Sequence, residues 1–310
     1  MVTIFKEFSV VIIGNQDRKL HDEGGVFVLI NFHKDKYSAQ SDKNLYFCRI
    51  NNNTVSEITR ILKTFIGYLK RPDLYPELGR KIIKNIFNRN SAFKGKEKTN
   101  LWASEIAISQ KNALKKLFHI DFKAFSELYP KEFKKALDTQ NACPIKMGGA
   151  GALELLYNAC EFTQAKVVIE TGVAYGWSSL ATLTSLQKRN GTLYSSDMPY
   201  LGQNGDQYVG CVVPEDLRSY WKLFRHADRE SLPKILKESG DIDVVHYDSD
   251  KSYEGMKWAY ETLYPRLRKG GVFISDDIND NSAFQDFCEQ EKIVPTVVEF
   301  EGKFVGVFVK

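Results

Sequence analysis

The sequence predicts an α/β fold, with a doubly wound parallel sheet and a C-terminal antiparallel hairpin, preceded by an α+β N-terminal region. From about residue 145 onward, short apolar runs alternate with segments that repeat apolar residues every three or four positions. Strands that alternate with helices in this way form a parallel sheet covered by helices on both faces. The last two apolar runs are joined only by Glu301 and Gly302. This short connection predicts a hairpin at the edge of the sheet.

The composition is that of a folded globular protein. A chain of 310 residues is long enough for two domains, or for one large fold with an appendage. Hydrophobic residues make up 43% and charged residues 26%, which excludes a largely disordered chain. The apolar runs are far shorter than the roughly 18 residues of a membrane helix, and the first residues lack the pattern of a signal peptide. We therefore expect a cytoplasmic protein that does not contact membranes.

The first 144 residues divide into two predicted regions. Residues 1–50 form a small β-rich region, with strands over 8–13, 26–32 and 45–50. Residues 51–144 form a helical, basic segment, with helices over 55–69, 78–88, 101–118 and 122–137. We expect this segment to cover the crevice of the sheet. Its basic charge is typical of a solvated helix face, and an acidic substrate or partner is the alternative.

Residues 145–310 form the third predicted domain. The sequence predicts strands over 167–171, 192–196, 242–248 and 272–276, and a poorly marked strand near 222–226. Helices are predicted over 177–188, 214–221, 229–238 and 253–267, and the hairpin strands over 293–300 and 303–309.

The first strand of this domain leads into a glycine-bearing turn that opens a helix. The turn runs from Glu170 to Ser178 and contains Gly172 and Gly176. Glycines let the backbone approach a ligand, and the N-terminus of the next helix offers free N–H groups. A carboxylate at Glu170 would repel a pyrophosphate but suits a cationic ligand. The second strand ends at Asp197, where an acid can accept hydrogen bonds from ribose hydroxyls. The pattern predicts a site for S-adenosylmethionine, which is a cationic nucleoside.

Two further strand ends carry acids. Asp248 follows the fourth strand, and Asp276 and Asp277 follow the fifth. Because the carboxyl ends of parallel strands meet at one crevice, we expect these carboxylates to converge. They have no cationic neighbour in sequence that could neutralise all three, and a hard cation such as Mg²⁺ would remove their repulsion. The alternative is that the acids cap the helices that follow.

Over about residues 146–310, these features resemble the class I S-adenosylmethionine-dependent methyltransferases, which have a Rossmann-like sheet with a terminal antiparallel hairpin. The resemblance implies that residues 146–149 close over the cofactor. It also implies a set of cofactor-binding residues, namely Glu170, Gly172, Gly176, Ser178, Asp197 and Asp228.

The acids resemble those of the divalent-cation-dependent O-methyltransferases of catechols, caffeoyl thioesters and macrolide sugars. This resemblance implies that Asp248, Asp276 and Asp277 bind the metal. It implies that Lys251, three residues after Asp248, is the general base. The stretch that begins at Lys251 is equally similar to a bacterial group that includes rhamnosyl methyltransferases, in which His more often occupies that place. For Lys251, a surface lysine near a helix start is the alternative.

The function expected from these residues is S-adenosylmethionine-dependent O-methylation of a small hydroxylated molecule, such as a sugar, with a divalent metal. One competing hypothesis is a nucleic-acid N-methyltransferase, because residues 197–200 are similar to a motif of such enzymes. That motif belongs after the fourth strand, so we expect no nucleic-acid partner. The other is a cofactor-fold binding module without activity. The sequence leaves open the identity of the acceptor and whether the chain forms a homo-oligomer.

Overall fold

The structure of the protein, a computed structural model, describes residues 8–13, 27–32, 64–87, 95–201 and 205–310. The chain divides into two compact units, residues 1–70 and 71–310. The three-part division expected from the sequence stays a prediction. Within the described residues, no helix combines the length and the apolar character that crossing a membrane requires.

The first unit contains a two-stranded antiparallel sheet. Strand β1 (Phe8–Ile13) pairs with β2 (Phe27–Phe32) so that Phe8 lies opposite Phe32. These two strands confirm the prediction, whereas the strand predicted over 45–50 lies outside the described residues. Residues 64–69 are helical, as predicted.

The second unit begins with helices whose bounds the sequence predicts only in part. They are α1 (Tyr75–Phe87), α2 (Lys96–Ile106), α3 (Gln110–Phe118), α4 (Phe125–Leu128) and α5 (Pro130–Ala142). The single helix predicted over 101–118 is wrong, because a short strand, β3 (Ile108–Ser109), separates α2 from α3. The helix predicted over 122–137 is also divided, because Pro130 lacks the N–H of a helix interior and starts α5.

The remaining helices alternate with strands, as the sequence predicts. The helices are α6 (Leu153–Thr163), α7 (Trp177–Leu186), α8 (Asp228–Glu238), α9 (Tyr253–Leu263) and α10 (Ala283–Gln290). Helix α6 has no counterpart among the predicted helices because buried residues lie on most of its surface, which hides the amphipathic period. The segment predicted as a helix over 214–221 is a 3₁₀ helix (Glu215–Tyr220).

The strands of the second unit form one mixed sheet. Besides β3, they are β4 (Val167–Thr171), β5 (Thr192–Ser196), β6 (Trp221–Phe224), β7 (Ile242–Tyr247), β8 (Leu267–Ser275), β9 (Thr296–Phe300) and β10 (Lys303–Val309). Their order is β3-β9-β10-β8-β7-β4-β5-β6, and only β10 runs antiparallel to its neighbours. The doubly wound sheet and the hairpin are thus confirmed. The hairpin is not at the edge, since β10 lies inside and β3 pairs with β9 outside it.

The core covers both faces of this sheet. Val168 and Val244 pack into one hydrophobic cluster, whereas their neighbours Ile169 and Val245 pack into the other. Strands buried on both faces are continuously apolar until they end. Polar side chains near the carboxyl ends of β4, β5, β7 and β8 therefore mark the places where the sheet opens to a ligand.

Candidate active site

A cavity of about 740 Å³ opens at the carboxyl ends of the parallel strands. This volume falls in the range of small-molecule sites, roughly 300 to 1,000 Å³. Its wall unites both predicted sites, because it includes Gly172, Ser178, Asp197, Asp228, Asp248, Asp276 and Asp277. Three other predicted residues do not line it, namely Glu170, Gly176 and Lys251.

The turn after β4 requires its glycines for different reasons. Gly172 has φ +80°, and a Cβ there would lie 2.0 Å from the carbonyl oxygen of Asp248. Any side chain would therefore separate the ends of β4 and β7. Gly176 has φ +95° at the N-cap of α7, and a Cβ there would lie 2.9 Å from the Cα of Gly210. Gly176 thus shapes the turn from outside the cavity, and Gly172 brings the backbone to the cavity wall.

Glu170 corrects the sequence interpretation. Its side chain is buried beneath the turn and does not line the cavity. Oxygen Oε2 accepts hydrogen bonds from the hydroxyls of Ser179 (2.6 Å) and Ser195 (2.7 Å). Oxygen Oε1 lies 3.7 Å from Nδ1 of His246. The acid at the end of β4 therefore supports the site from below.

Asp197 lies where the sequence predicts it, at the end of β5 in the cavity wall. Its Oδ2 accepts a hydrogen bond from the backbone N–H of Ala174 (3.2 Å) and lies 3.3 Å from a guanidinium nitrogen of Arg225. Burial raises the pKa of Asp197 to about 6, although Arg225 opposes the shift. The carboxylate is thus tied to the turn and is ionised at neutral pH.

Ser178 and Asp228 extend the cavity wall. Ser178 lies in the first turn of α7, where backbone N–H groups are free to bind an anion. Asp228 begins α8 and accepts hydrogen bonds from the hydroxyls of Ser196 (2.6 Å) and Ser249. Burial raises its pKa, and these hydroxyls oppose the rise. Asp228 is therefore held in one orientation by Ser196, at the end of β5, and by Ser249, in the loop after β7.

The acids after β7 and β8 do converge, but they have a cationic neighbour. The Nζ of Lys251 contacts Oδ1 of Asp248 and lies 3.1 Å from Oδ2 of Asp277. Desolvation lowers the pKa of Lys251, but Asp248 and Asp277 outweigh it and raise the pKa above its usual value. Lys251 pairs with two of the three carboxylates and leaves Asp276, so the expectation that no cationic neighbour in sequence neutralises all three stands. Lys251 lies three residues beyond Asp248, and the loop returns its ammonium to the cluster.

His246 is a residue of the site that the sequence analysis did not assign to the cofactor or the metal. It lies in β7 next to Glu170 of β4 in the strand register, and it lines the cavity. Its Nε2 lies 3.7 Å from Oδ1 of Asp276. Burial lowers the pKa of His246, but Asp276 and Glu170 outweigh it and raise it to about 10. In the sequence, the only local sign of its role is that it is a polar residue near the end of an otherwise apolar strand.

Donor atoms of three side chains lie close enough to hold one metal ion. Ligand atoms of His246, Asp248 and Asp276 all lie within 4.8 Å of one another. Carboxylate oxygens and an imidazole nitrogen are ordinary ligands of divalent metals. This donor set fits a divalent cation, whereas Asp277 is paired with Lys251.

Two segments from outside the sheet complete the cavity. Glu77, Arg80 and Lys81 of α1 line one side, and Arg80 donates to Glu230 of α8 at 2.6 Å. Residues 148–152 line another side, where Gly151 approaches Asp276. Of residues 146–149, which are predicted to close over the cofactor, Gly148 and Gly149 are part of the wall.

Residues 169–278, about a third of the chain, match a family model described as a methyltransferase domain. This segment is similar to a methyltransferase domain. The match confirms the predicted resemblance to class I S-adenosylmethionine-dependent methyltransferases, and with it the prediction of a methyltransferase enzyme. The matched segment extends from β4 to the loop after β8, so the methyltransferase domain contains both the turn and the acids.

Solved structures with a similar fold include three methyltransferases. An O-methyltransferase from Bacillus cereus in complex with SAH is 12% identical, with a TM-score of 0.47 over 67% of this chain and 100% of that one. The O-methyltransferase TomG from Streptomyces achromogenes is 15% identical, with a TM-score of 0.47 over 66% and 100%. The Podospora anserina methyltransferase PaMTH1 is 11% identical, with a TM-score of 0.43 over 72% and 97%. With TM-scores under 0.5, these likenesses do not bear on the activity of this chain. No curated protein matches the chain in sequence.

Proposed function

We propose that the methyltransferase domain transfers the methyl group of S-adenosylmethionine to a hydroxyl of a small molecule, such as a sugar, with the help of a divalent cation. One observation carries the proposal. A single cavity is lined both by the glycine turn with Asp197 and by the acids Asp248 and Asp276. A cofactor held by the turn and an acceptor held by the acids would therefore share one cavity.

The cofactor would bind along the ends of β4 and β5. Asp197 is fixed by Ala174 and Arg225 and would accept hydrogen bonds from the ribose hydroxyls. Ser178, in the first turn of α7, would donate to the methionine carboxylate beside the positive end of the helix. The hydroxyls of Ser196 and Ser249 donate hydrogen bonds to Asp228 and fix its orientation. In this orientation, Asp228 would contact the adenine.

The acceptor would bind beside the acids. Asp248 and Asp276 would hold a divalent cation, which the sequence predicts to be Mg²⁺ with Asp277 as a further ligand. Such a cation lowers the pKa of a bound hydroxyl and orients it. In the chemical step, the acceptor oxygen forms a bond to the methyl carbon while the bond from carbon to sulfur breaks. The electron pair of that bond stays on sulfur, and the hydroxyl proton leaves to a base.

Lys251 is the proposed base, and it can act as one only in its neutral form. Its ammonium is held by Asp248 and Asp277, so it must lose a proton before it can accept one from the acceptor. Whatever draws Asp248 away from Lys251 would lower the pKa of the ammonium. The base and the cation are thus coupled through one carboxylate.

The decisive experiment is a product assay. The protein is incubated with S-adenosylmethionine bearing a labelled methyl group, a divalent cation and a panel of hydroxylated sugars and phenols, and products are identified by mass spectrometry. We expect a labelled, methylated product that forms with Mg²⁺ or Mn²⁺ and not with EDTA. The matched control pair is Asp197→Asn and Asp206→Asn. Both acids pair with Arg225, but only Asp197 lines the cavity, so only its variant should lose activity. Full activity in EDTA would contradict the cation, and equal activity of the two variants would contradict the cofactor site.

A further inference from the structure

We infer that His246 is the third protein ligand of the divalent cation, that Glu170 orients its ring, and that the site selects a first-row transition metal over Mg²⁺. The inference rests on the proposed function, because it names the ligands of the same cation. It gives a role to His246 and Glu170, which take no part in the proposed cofactor site and do not act as the proposed base.

The first observation is a pair of buried atoms without hydrogen bonds. Nδ1 of His246 and Oε1 of Glu170 are both buried and lie 3.7 Å apart, and neither has a hydrogen-bond partner among the described residues. They belong to residues opposite each other on β4 and β7. A small movement of the ring would let Nδ1–H donate to Oε1 and satisfy both atoms at once.

The second observation is that Glu170 cannot turn away. Its other oxygen accepts from Ser179 of α7 and from Ser195 of β5. The carboxylate is therefore held on two sides and directs Oε1 toward the imidazole. Histidine ligands commonly donate their second ring nitrogen to a carboxylate in this way, which fixes the orientation of the ring, and the metal takes the place of the proton on the other nitrogen.

The third observation concerns that other nitrogen. Nε2 of His246 lies 3.7 Å from Oδ1 of Asp276, and the donor atoms of His246, Asp248 and Asp276 all lie within 4.8 Å. Two ligands of one ion are roughly 3 to 4 Å apart, because each lies about 2.1 Å from it. His246 also lines the cavity, so the metal would be within reach of an acceptor.

Asp277 is less suited to be the third ligand. Its carboxylate is 3.1 Å from Nζ of Lys251, and it must break this ion pair before it can bind a metal. The identity of the ligand decides the identity of the metal. Oxygen-only sites suit Mg²⁺, whereas an imidazole among carboxylates favours ions such as Mn²⁺, Fe²⁺, Co²⁺ or Zn²⁺.

Pulsed electron paramagnetic resonance of Mn²⁺ added to the intact protein without cofactor tests the inference, and it requires no activity. We expect a coupling from a directly bound nitrogen, and we expect protein made with ¹⁵N-imidazole histidine to replace it by the ¹⁵N pattern. Glu170→Gln should weaken Mn²⁺ binding by roughly 10- to 100-fold, as loss of an orienting carboxylate does. His246→Gln should abolish the coupling, and the control Asp277→Asn should keep it.

The outcomes separate this inference from the proposed function. Tight Mn²⁺ binding without a nitrogen coupling, in the wild-type protein itself, would overturn His246 as a ligand and leave the proposed cation site intact. A coupling lost in Asp277→Asn but kept in His246→Gln would do the same. Failure of Mn²⁺ and Mg²⁺ to bind at all would overturn both the inference and the metal of the proposed function. Binding competition that favours Mg²⁺ over Mn²⁺ would overturn the selectivity.

Discussion

Nζ of Lys251 lies 3.1 Å from Oδ2 of Asp277 while it also contacts Asp248, so one ammonium bridges acids that follow two different strands. This arrangement neutralises part of the acidic cluster without a metal. It also raises the pKa of Lys251, because desolvation of the ammonium is outweighed by the two carboxylates. The contacts of Lys251 with the two acids therefore affect both the affinity of the acids for a cation and the ability of Lys251 to accept a proton.

Replacement of Lys251 should change these two properties in opposite directions. In Lys251→Met, a divalent cation no longer competes with an ammonium for Asp248, so its affinity should rise by about tenfold or more, the scale of a hydrogen bond to a charged group. Turnover should fall by about 10²- to 10⁴-fold, the usual contribution of a general base. Metal titration calorimetry and steady-state kinetics measure the two effects.

The control for this variant is Lys257→Met. Lys257 lies on α9, outside the cavity wall, and forms a long, exposed ion pair with Glu261, so both properties should stay at the wild-type level. Unchanged turnover in Lys251→Met would contradict the proposed base.

The affinity for S-adenosylmethionine should depend on pH through Asp197. Burial raises the pKa of this carboxyl to about 6. Ribose hydroxyls donate to the ionised form, so affinity should approach its full value about one pH unit above the pKa and should fall as the pH drops through about 6, by up to about tenfold per unit. Calorimetry between pH 5 and 8 measures this curve. In Asp197→Asn, affinity should be weaker and this pH dependence should disappear; an Asn variant that keeps the wild-type curve would assign the titration to another group.

Gly172 should tolerate no side chain, and Gly240 provides a matched control. Both have positive φ, +80° and +73°, but a Cβ meets a carbonyl oxygen at 2.0 Å in the first and nothing within 4 Å in the second. Gly240→Ala should cost about 1 kcal/mol of unfolding free energy, for the backbone conformation alone. Gly172→Ala should cost about 3 kcal/mol or more and should also abolish cofactor binding. Urea unfolding gives both values, and equal costs would show that the close approach of Asp248 relaxes without penalty.

The ion pair between Arg80 and Glu230 should stabilise the contact of α1 with the cavity rim. The two side chains are partly buried and lie 2.6 Å apart. A double-mutant cycle with Arg80→Met and Glu230→Gln should give a coupling of about 1 kcal/mol, the upper end for such pairs. The exposed pair of Lys257 and Glu261, at 3.9 Å, should give a smaller coupling in the same unfolding assay. Equal couplings would mean that partial burial adds nothing to the first pair.

The sequence by itself determined the alternation of strands and helices and the residues at the strand ends. The predicted strands over 167–171 and 192–196 match β4 and β5 to the residue, because their β-branched and aromatic residues favour strands. The glycines and Asp197 then follow from the first two strands. The same local pattern placed Asp248 and Asp276 at the ends of neighbouring strands, and the cavity unites them.

Only the tertiary structure decided which of these side chains face the cavity and what neutralises them. Period and spacing place a residue at the end of a strand, but the contacts of its side chain depend on elements far away in sequence. Ser179 and Ser195 hold Glu170 beneath the turn, and the register of β4 and β7 brings His246 beside it. The pairing of β3 with β9 likewise divides a segment with a continuous helical pattern, because backbone pairing across the sheet outweighs a weak local preference.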